Sequence, residues 1–231
     1  NATAFQELVL TTKIFKYFQN LKFTNLIALT CTLHLNSCAF LANIPKLRML
    51  TVTLQQDSGD VINFESGILL KLDHLNVGCY EQLPVGSIRA IVSMARSLRH
   101  LSLQMLHNTI CHGEWVSIAK CCPQLLTLRV ITKDLPDATL GEFCRLCPHI
   151  TTLVLVMNST ITDAGVLSIT QRLQHLQSLQ ITYCEQLTDS SLVHIETHCK
   201  VLRTLELLLC PFVNDIAVFE LQRRLKQKHS A

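Results

Sequence analysis

Eleven cysteines and ten histidines in 231 residues are the side chains of this sequence best suited to chemistry. Two groupings have metal-ligand types: Cys144-x-x-Cys147 followed by His149, and Cys111-His112 with Cys121-Cys122. A closed structural zinc site needs four ligands converging tetrahedrally. Adjacent Cys121 and Cys122 point to different faces of their helix, and Cys147 belongs to an inward apolar stripe, so neither grouping supplies that set. Cys144-x-x-Cys147 also has redox spacing but lacks the flanking strand-to-helix context of such motifs. The histidines form no Cys/His or Ser/His/Asp arrangement with motif context, and the seven glycines make no phosphate-cradling loop. No catalytic residue, metal or cofactor is expected, and the chain does not read as an enzyme. The sequons Asn1-Ala2-Thr3 and Asn158-Ser159-Thr160 raise glycosylation. Asn158, however, occupies an inward turn position where a glycan would not fit.

Composition narrows the alternatives. Length alone suggests one or two domains at about 150 residues each. Apolar residues make up 48%, charged residues only 16%, and mean hydropathy is +0.30. The chain is therefore neither disordered nor acidic-tailed. A net charge of +3, dispersed along the chain, predicts neither nucleic-acid nor membrane binding. No apolar run approaches the roughly 18 residues of a membrane span, and the start lacks the basic and apolar regions of a signal peptide. The first residue is not Met, as in a processed product or a fragment. An odd cysteine count at this length argues against a disulfide scaffold.

What positions these residues is a repeat. The phrase L-x-x-L-x-L, with aliphatic substitutions, returns as Leu47/Leu50/Val52, Leu72/Leu75/Val77, Leu98/Leu101/Leu103, Leu125/Leu128/Val130, Ile150/Leu153/Leu155, Leu176/Leu179/Ile181 and Leu202/Leu205/Leu207. The middle residue, here the register leucine, recurs every 25 to 27 positions. Two upstream copies are read at Leu8/Leu10 and Leu33/Leu35, leaving one short step of 17 to Leu50. The L-x-L core alternates as a strand with both apolar residues inward. Apolar residues also recur 18, 13, 10 and 6 positions before a register leucine, as in Ile161, Val166, Ile169 and Leu173 before Leu179. That spacing is one inward stripe on a short helix. Thr162-Asp163, Thr188-Asp189 and Asn214-Asp215 are placed to cap helix starts. Each unit is strand, turn and helix, and must stack on copies of itself to bury its stripe.

The register also assigns most cysteines. Cys122, Cys147 and Cys199 lie six positions before a register leucine; Cys184 and Cys210 lie five after one, as does Cys38 in the upstream reading, and Asn158 takes that place in its own unit. These read as small packing side chains. The unit Leu179-x-Ile181-x-x-Cys184-x-x-Leu187-Thr188-Asp189-x-x-Leu192-x-x-Ile195-x-x-x-Cys199-x-x-Leu202 resembles the cysteine-containing class of leucine-rich repeat. Leu205-x-Leu207-x-x-Cys210-x-x-Val213-Asn214-Asp215 is similar to it, as is Ile161-Thr162-Asp163-Ala164-Gly165. The resemblance implies an α/β leucine-rich-repeat solenoid, a horseshoe with parallel strands on the concave face and helices on the convex face. It further implies the F-box/leucine-rich-repeat proteins, substrate receptors of cullin-type ubiquitin ligases. Expected partners are then a protein substrate or degron, with a Skp-type adaptor and cullin if an F-box is present, in an intracellular, cytoplasmic or nuclear setting. A stand-alone interaction protein and an innate-sensor or extracellular ectodomain are the alternatives.

Outward strand positions fall one before, one after and three after each register leucine. Most are small and polar. The exception is an apolar centre of Ile131, Val154 and Val156, with Leu208 further along, flanked by His74, His100 and Arg129 on one side and Gln180 and Glu206 on the other. An apolar centre with a polar rim is the layout of a protein-binding hot spot.

Residues 1–45 read as a divergent terminal region and 46–231 as the solenoid, with 211–231 a helical cap ending in Arg223, Arg224, Lys226 and Lys228. Those basic residues suit the helix macrodipole and, without interleaved aromatics, do not read as a nucleic-acid patch. Ile14-Phe15-Lys16-Tyr17-Phe18 resembles the middle of an F-box, but Lys22-Phe23 stands where its acidic pair would be. The F-box itself is absent or degenerate in this chain.

Overall fold

The computed structural model describes residues 6–10, 23–34, 41, 44–55, 71–80, 83–107 and 110–228. The chain divides into two compact units, 1–122 and 123–231. The segment 14–18, Asn1 and Cys38 lie outside the described residues.

The first unit contains β1 (Glu7–Leu10), β2 (Ala28–His34), β3 (Met49–Gln55), β4 (His74–Cys79), α1 (Ser87–Ser93), β5 (His100–Met105) and α2 (His112–Cys121). Its strands pair in parallel in chain order, with Leu8, Leu29, Leu50, Leu75 and Leu101 side by side. The second copy of the strand phrase is therefore Leu26-x-x-Leu29-x-Cys31, and the reading at Leu33/Leu35 is four residues out. The reason is the strand's own periodicity: positions 29, 31 and 33 share a face, so a leucine pair anywhere along β2 satisfies the alternation. With Leu29 in place, β1, β2 and β3 follow one another at equal steps of 21 rather than 25 and 17.

The second unit alternates β6 (Thr127–Thr132), α3 (Asp137–Leu146), β7 (Thr152–Val156), α4 (Asp163–Arg172), β8 (Ser178–Thr182), α5 (Asp189–His198), β9 (Thr204–Leu208) and α6 (Asp215–Lys228). The strands are parallel, with Leu128, Leu153, Leu179 and Leu205 in register. Parallel pairing needs a crossover of a dozen residues or more, which each turn and helix provides. Neighbouring helices pack on one another from α3 to α6. Every stripe residue foreseen for α3, α4 and α5 is buried: Leu135, Leu140, Phe143 and Cys147; Ile161, Val166, Ile169 and Leu173; Leu187, Leu192, Ile195 and Cys199. In α6, Val218, Leu221 and Leu225 face inward, and the Gln222 side chain donates to the Leu205 carbonyl of β9 at 2.6 Å.

The predicted caps form, and they also bind repeat to repeat. Thr162 and Thr188 accept from the backbone N–H two residues on, and Asn214 does the same for Ile216. The aspartate that opens each helix reaches across to the next cap. Asp137 accepts from the Thr162 N–H and hydroxyl, Asp163 from the Thr188 N–H (3.0 Å) and hydroxyl (2.5 Å), and Asp189 from the Asn214 N–H (2.7 Å). Asp163 also accepts from the Ser191 hydroxyl. Gly165 makes room for this ladder, because a Cβ there would overlap the Asp137 carboxylate.

Partial burial alone would raise the Asp163 pKa, but the hydrogen bonds from Ser191 and Thr188 outweigh it and hold the carboxyl below its ordinary value. A carboxyl lowered in the folded state contributes stability above its unfolded value of about 3.9 and loses it as pH falls. Asp163→Ala should cost about 1 kcal/mol at neutral pH, since the site is mostly solvated. Thermal melts across pH should show a constant gap to the wild type above about pH 5 that closes below about pH 4.

Candidate protein-binding face

The sequence-predicted residues fall in both units. In the first, His74 and His100 are register partners on β4 and β5, and their rings stack with centroids 3.9 Å apart. Asp73 meets His74 Nδ1 at 2.6 Å, and Arg48 lies 3.7 Å from the Asp73 carboxylate. Burial, followed by the neighbouring His74, lowers the His100 pKa, opposed by Asp73.

The second unit brings together the rest. Ile131 on β6 is the register partner of Val156 on β7, so two half-buried β-branched side chains sit about 4.8 Å apart in the pairing direction. The same row continues through Thr182 to Leu208, which is 50% exposed. One row back run Arg129, Val154, Gln180 and Glu206. Val154 corrects the sequence reading. It is only 9% exposed, because it lies between two longer neighbours, Arg129 and Gln180, and so packs within the face rather than presenting itself. Arg129 is exposed and Glu206 half-buried, and neither is in an ion pair among the described residues. The Thr182 hydroxyl, buried between Val156 and Leu208, has no hydrogen-bond partner among them. Among the described residues the face thus combines a buried, unpartnered hydroxyl with apolar side chains and two charges that are in no ion pair.

Beyond the strands lies a column that the three outward positions do not include. Met157, Tyr183 and Leu209 each follow a strand, 26 residues apart, with φ of 62, 59 and 55°. A left-handed conformation costs a non-glycine residue roughly 1–2 kcal/mol. The Met157 and Tyr183 N–H groups donate to the last carbonyl of the next strand, at Thr182 and Leu208, which holds them there. All three side chains are exposed. The signal in the sequence is the recurrence of large apolar residues four positions after the register leucine; the absence of glycine hides the turn.

The residue after each is buried. Asn158 is 1% exposed, and its side chain is consumed by the turn: Oδ1 accepts from the Thr160 N–H, the Thr160 hydroxyl and the Ile161 N–H, and Nδ2 donates to the Leu135 carbonyl. No glycan fits on such an amide. Cys184 and Cys210 hold the equivalent place, their thiols directed to the Thr182 and Leu208 carbonyls. Burial pushes the thiols of Cys144, Cys184 and Cys199 up to about 12, which makes them poor nucleophiles and poor redox partners. Among the described residues no three His, Cys, Asp or Glu side chains converge as metal ligands. Cys144 and Cys147 are buried, while His149 is exposed.

No protein-family model matches the chain, and no curated protein matches it. Solved structures do. TLR13 in its complex with ssRNA13 is similar with a TM-score of 0.53 at 18% identity, over 87% of this chain and 28% of that one. Internalin C2 of Listeria monocytogenes gives 0.50 at 14%, over 91% and 79%. A chain of the Toll–Spätzle complex of Drosophila gives 0.50 at 13%, over 85% and 30%. The chain is a leucine-rich-repeat solenoid. It spans under a third of the TLR13 and Toll-complex chains and most of internalin C2. In the solenoid's second unit, parallel strands make one face and helices the other, and the row from Ile131 to Leu208 lies on the strand face.

Proposed function

We propose that the solenoid is a protein-recognition module, the substrate-binding repeat part of an SCF-type ubiquitin-ligase receptor. The observation that carries the reading is the row Ile131, Val156 and Leu208: apolar side chains left partly exposed on the strand face, beside Arg129 and Glu206, neither of which is in an ion pair among the described residues. Such a layout suits a partner that buries the centre and meets the rim with opposite charges. The likeness of the repeat unit around Cys184 and Cys199 to the F-box/leucine-rich-repeat class supports the ligase link, and the chain itself would do no ubiquitin chemistry. Among the described residues no cysteine is in a disulfide and most are buried, which supports a reducing, intracellular setting over a secreted, disulfide-bonded ectodomain. Neither nucleic acid nor membrane is a partner in this reading.

The ligase link is tested by co-purification of the full-length protein with a Skp-type adaptor and cullin. Stoichiometric recovery of both is expected. A folded full-length protein that leaves the adaptor behind would instead be a stand-alone interaction protein, a reading favoured by Lys22-Phe23 standing in place of the acidic pair.

A further inference from the structure

At the end of the second unit, Leu208 (50% exposed), Leu209 (62%) and Phe219 (66%) present large apolar side chains to solvent. They border two open hollows. One, of about 430 Å³, is lined by Tyr183, Pro211 and Val213 with Glu185 at its side. The other, of about 530 Å³, lies between the end of β9 and α6, with Leu208, Val218 and Phe219. Leu209 and Asp215 line both and so form the wall between them. Leu209 holds that position at a positive φ, against the preference of an L residue.

Among the described residues, Glu185 and Asp215 are the only charged ones lining either hollow, so the charge there has one sign, and neither is in an ion pair. An apolar segment alone would leave these carboxylates partly desolvated and unmatched, at a cost. A cation placed over the wall would meet Asp215 and lie beside Glu185 while its neighbours fill the two hollows. We propose that this end of the solenoid is a docking site for a partner-protein segment carrying two apolar anchors on either side of a lysine or arginine. The inference rests on the recognition-module reading, and names the chemistry of a partner at a surface that shares Leu208 with the strand-face row but does not include Ile131 or Val156.

The test is fluorescence anisotropy of labelled synthetic peptides with the intact chain. The peptides place a leucine on each side of a central arginine, with one or two alanines between; controls carry a central glutamate, or alanine in place of both leucines. Saturable binding of the arginine peptide is expected, weakened about tenfold by Phe219→Ser and by Asp215→Lys, as for an anchor or a charge partner lost from an interface. Val193→Ser, at an exposed apolar residue of α5, should leave it unchanged. On Asp215→Lys the glutamate peptide should bind better than the arginine peptide. Because Asp215 opens α6, Glu185→Lys repeats the charge reversal outside any helix.

Equal binding of arginine and glutamate peptides would overturn the proposal, as would absence of saturation across the panel. Self-association abolished by Phe219→Ser would overturn it too, by making a second copy the occupant. If the peptides fail while the strand face still captures protein, the docking site alone falls; if both fail, the recognition-module reading falls with it.

Discussion

Replacing Asn158 by alanine should lower stability by about 3 kcal/mol, because its amide completes a turn in which water has no place. The substitution leaves the buried Ile161 N–H without its acceptor, removes the Thr160 contacts and frees the Leu135 carbonyl. Each buried group left unpaired costs about 1–3 kcal/mol, and the missing side chain adds a small cavity. In a chain of this length the melting temperature should fall by about 6–12 °C. Asn158→Cys should cost clearly less, since Cys184 and Cys210 fill the same place in the next two repeats with thiols that reach strand-end carbonyls. Denaturant melts of the three proteins check this ordering. If Cys is no better than Ala, the repeats are not equivalent at this position.

That ordering depends on the register, and most of it was legible. The register leucines from Leu50 onward stand side by side within each unit as their spacing implies, because the repeat imposes one strand per 25 to 27 residues. The stripes before Leu153, Leu179 and Leu205 are buried for the same reason. Of the cysteines that look like ligands, Cys122, Cys144 and Cys147 are buried packing residues, while Cys111 is exposed and Cys121 half-buried. Where the frame was weak, at β2, a two-residue periodicity could not tell Leu29 from Leu33.

Other features arise only from contacts between repeats. The Thr-Asp pairs were readable as caps, but not as a ladder, because Asp137, Asp163 and Asp189 reach partners about 25 residues away. Nor does composition reveal the left-handed turns at Met157, Tyr183 and Leu209, of which the first two are held by the next strand in a conformation that glycine would adopt freely. Val154 illustrates a third limit. Alternation says which face a side chain takes, yet its exposure there depends on the length of the side chains on neighbouring strands.

The strand face is where a single substitution should have its largest functional effect. Ile131 and Val156 are adjacent across β6 and β7, so an aspartate at either places an unpaired carboxylate in the middle of the apolar row. A hot spot lost in this way is worth at least about 2 kcal/mol, or roughly thirtyfold in affinity. The cost to folding should be smaller, of the order of 1 kcal/mol, since both side chains are only half-buried. Val154→Asp is the contrasting case, because a carboxylate in that covered position should destabilise the unit itself.

The deciding measurement is affinity capture by the full-length protein, comparing the wild type with Ile131→Asp and Val156→Asp at matched expression and with melting temperatures recorded for each. A recognition module that uses this face should lose its specifically captured proteins in both variants, by about thirtyfold or more, while remaining folded. Recovery of the same proteins at the same yield from both folded variants would contradict it.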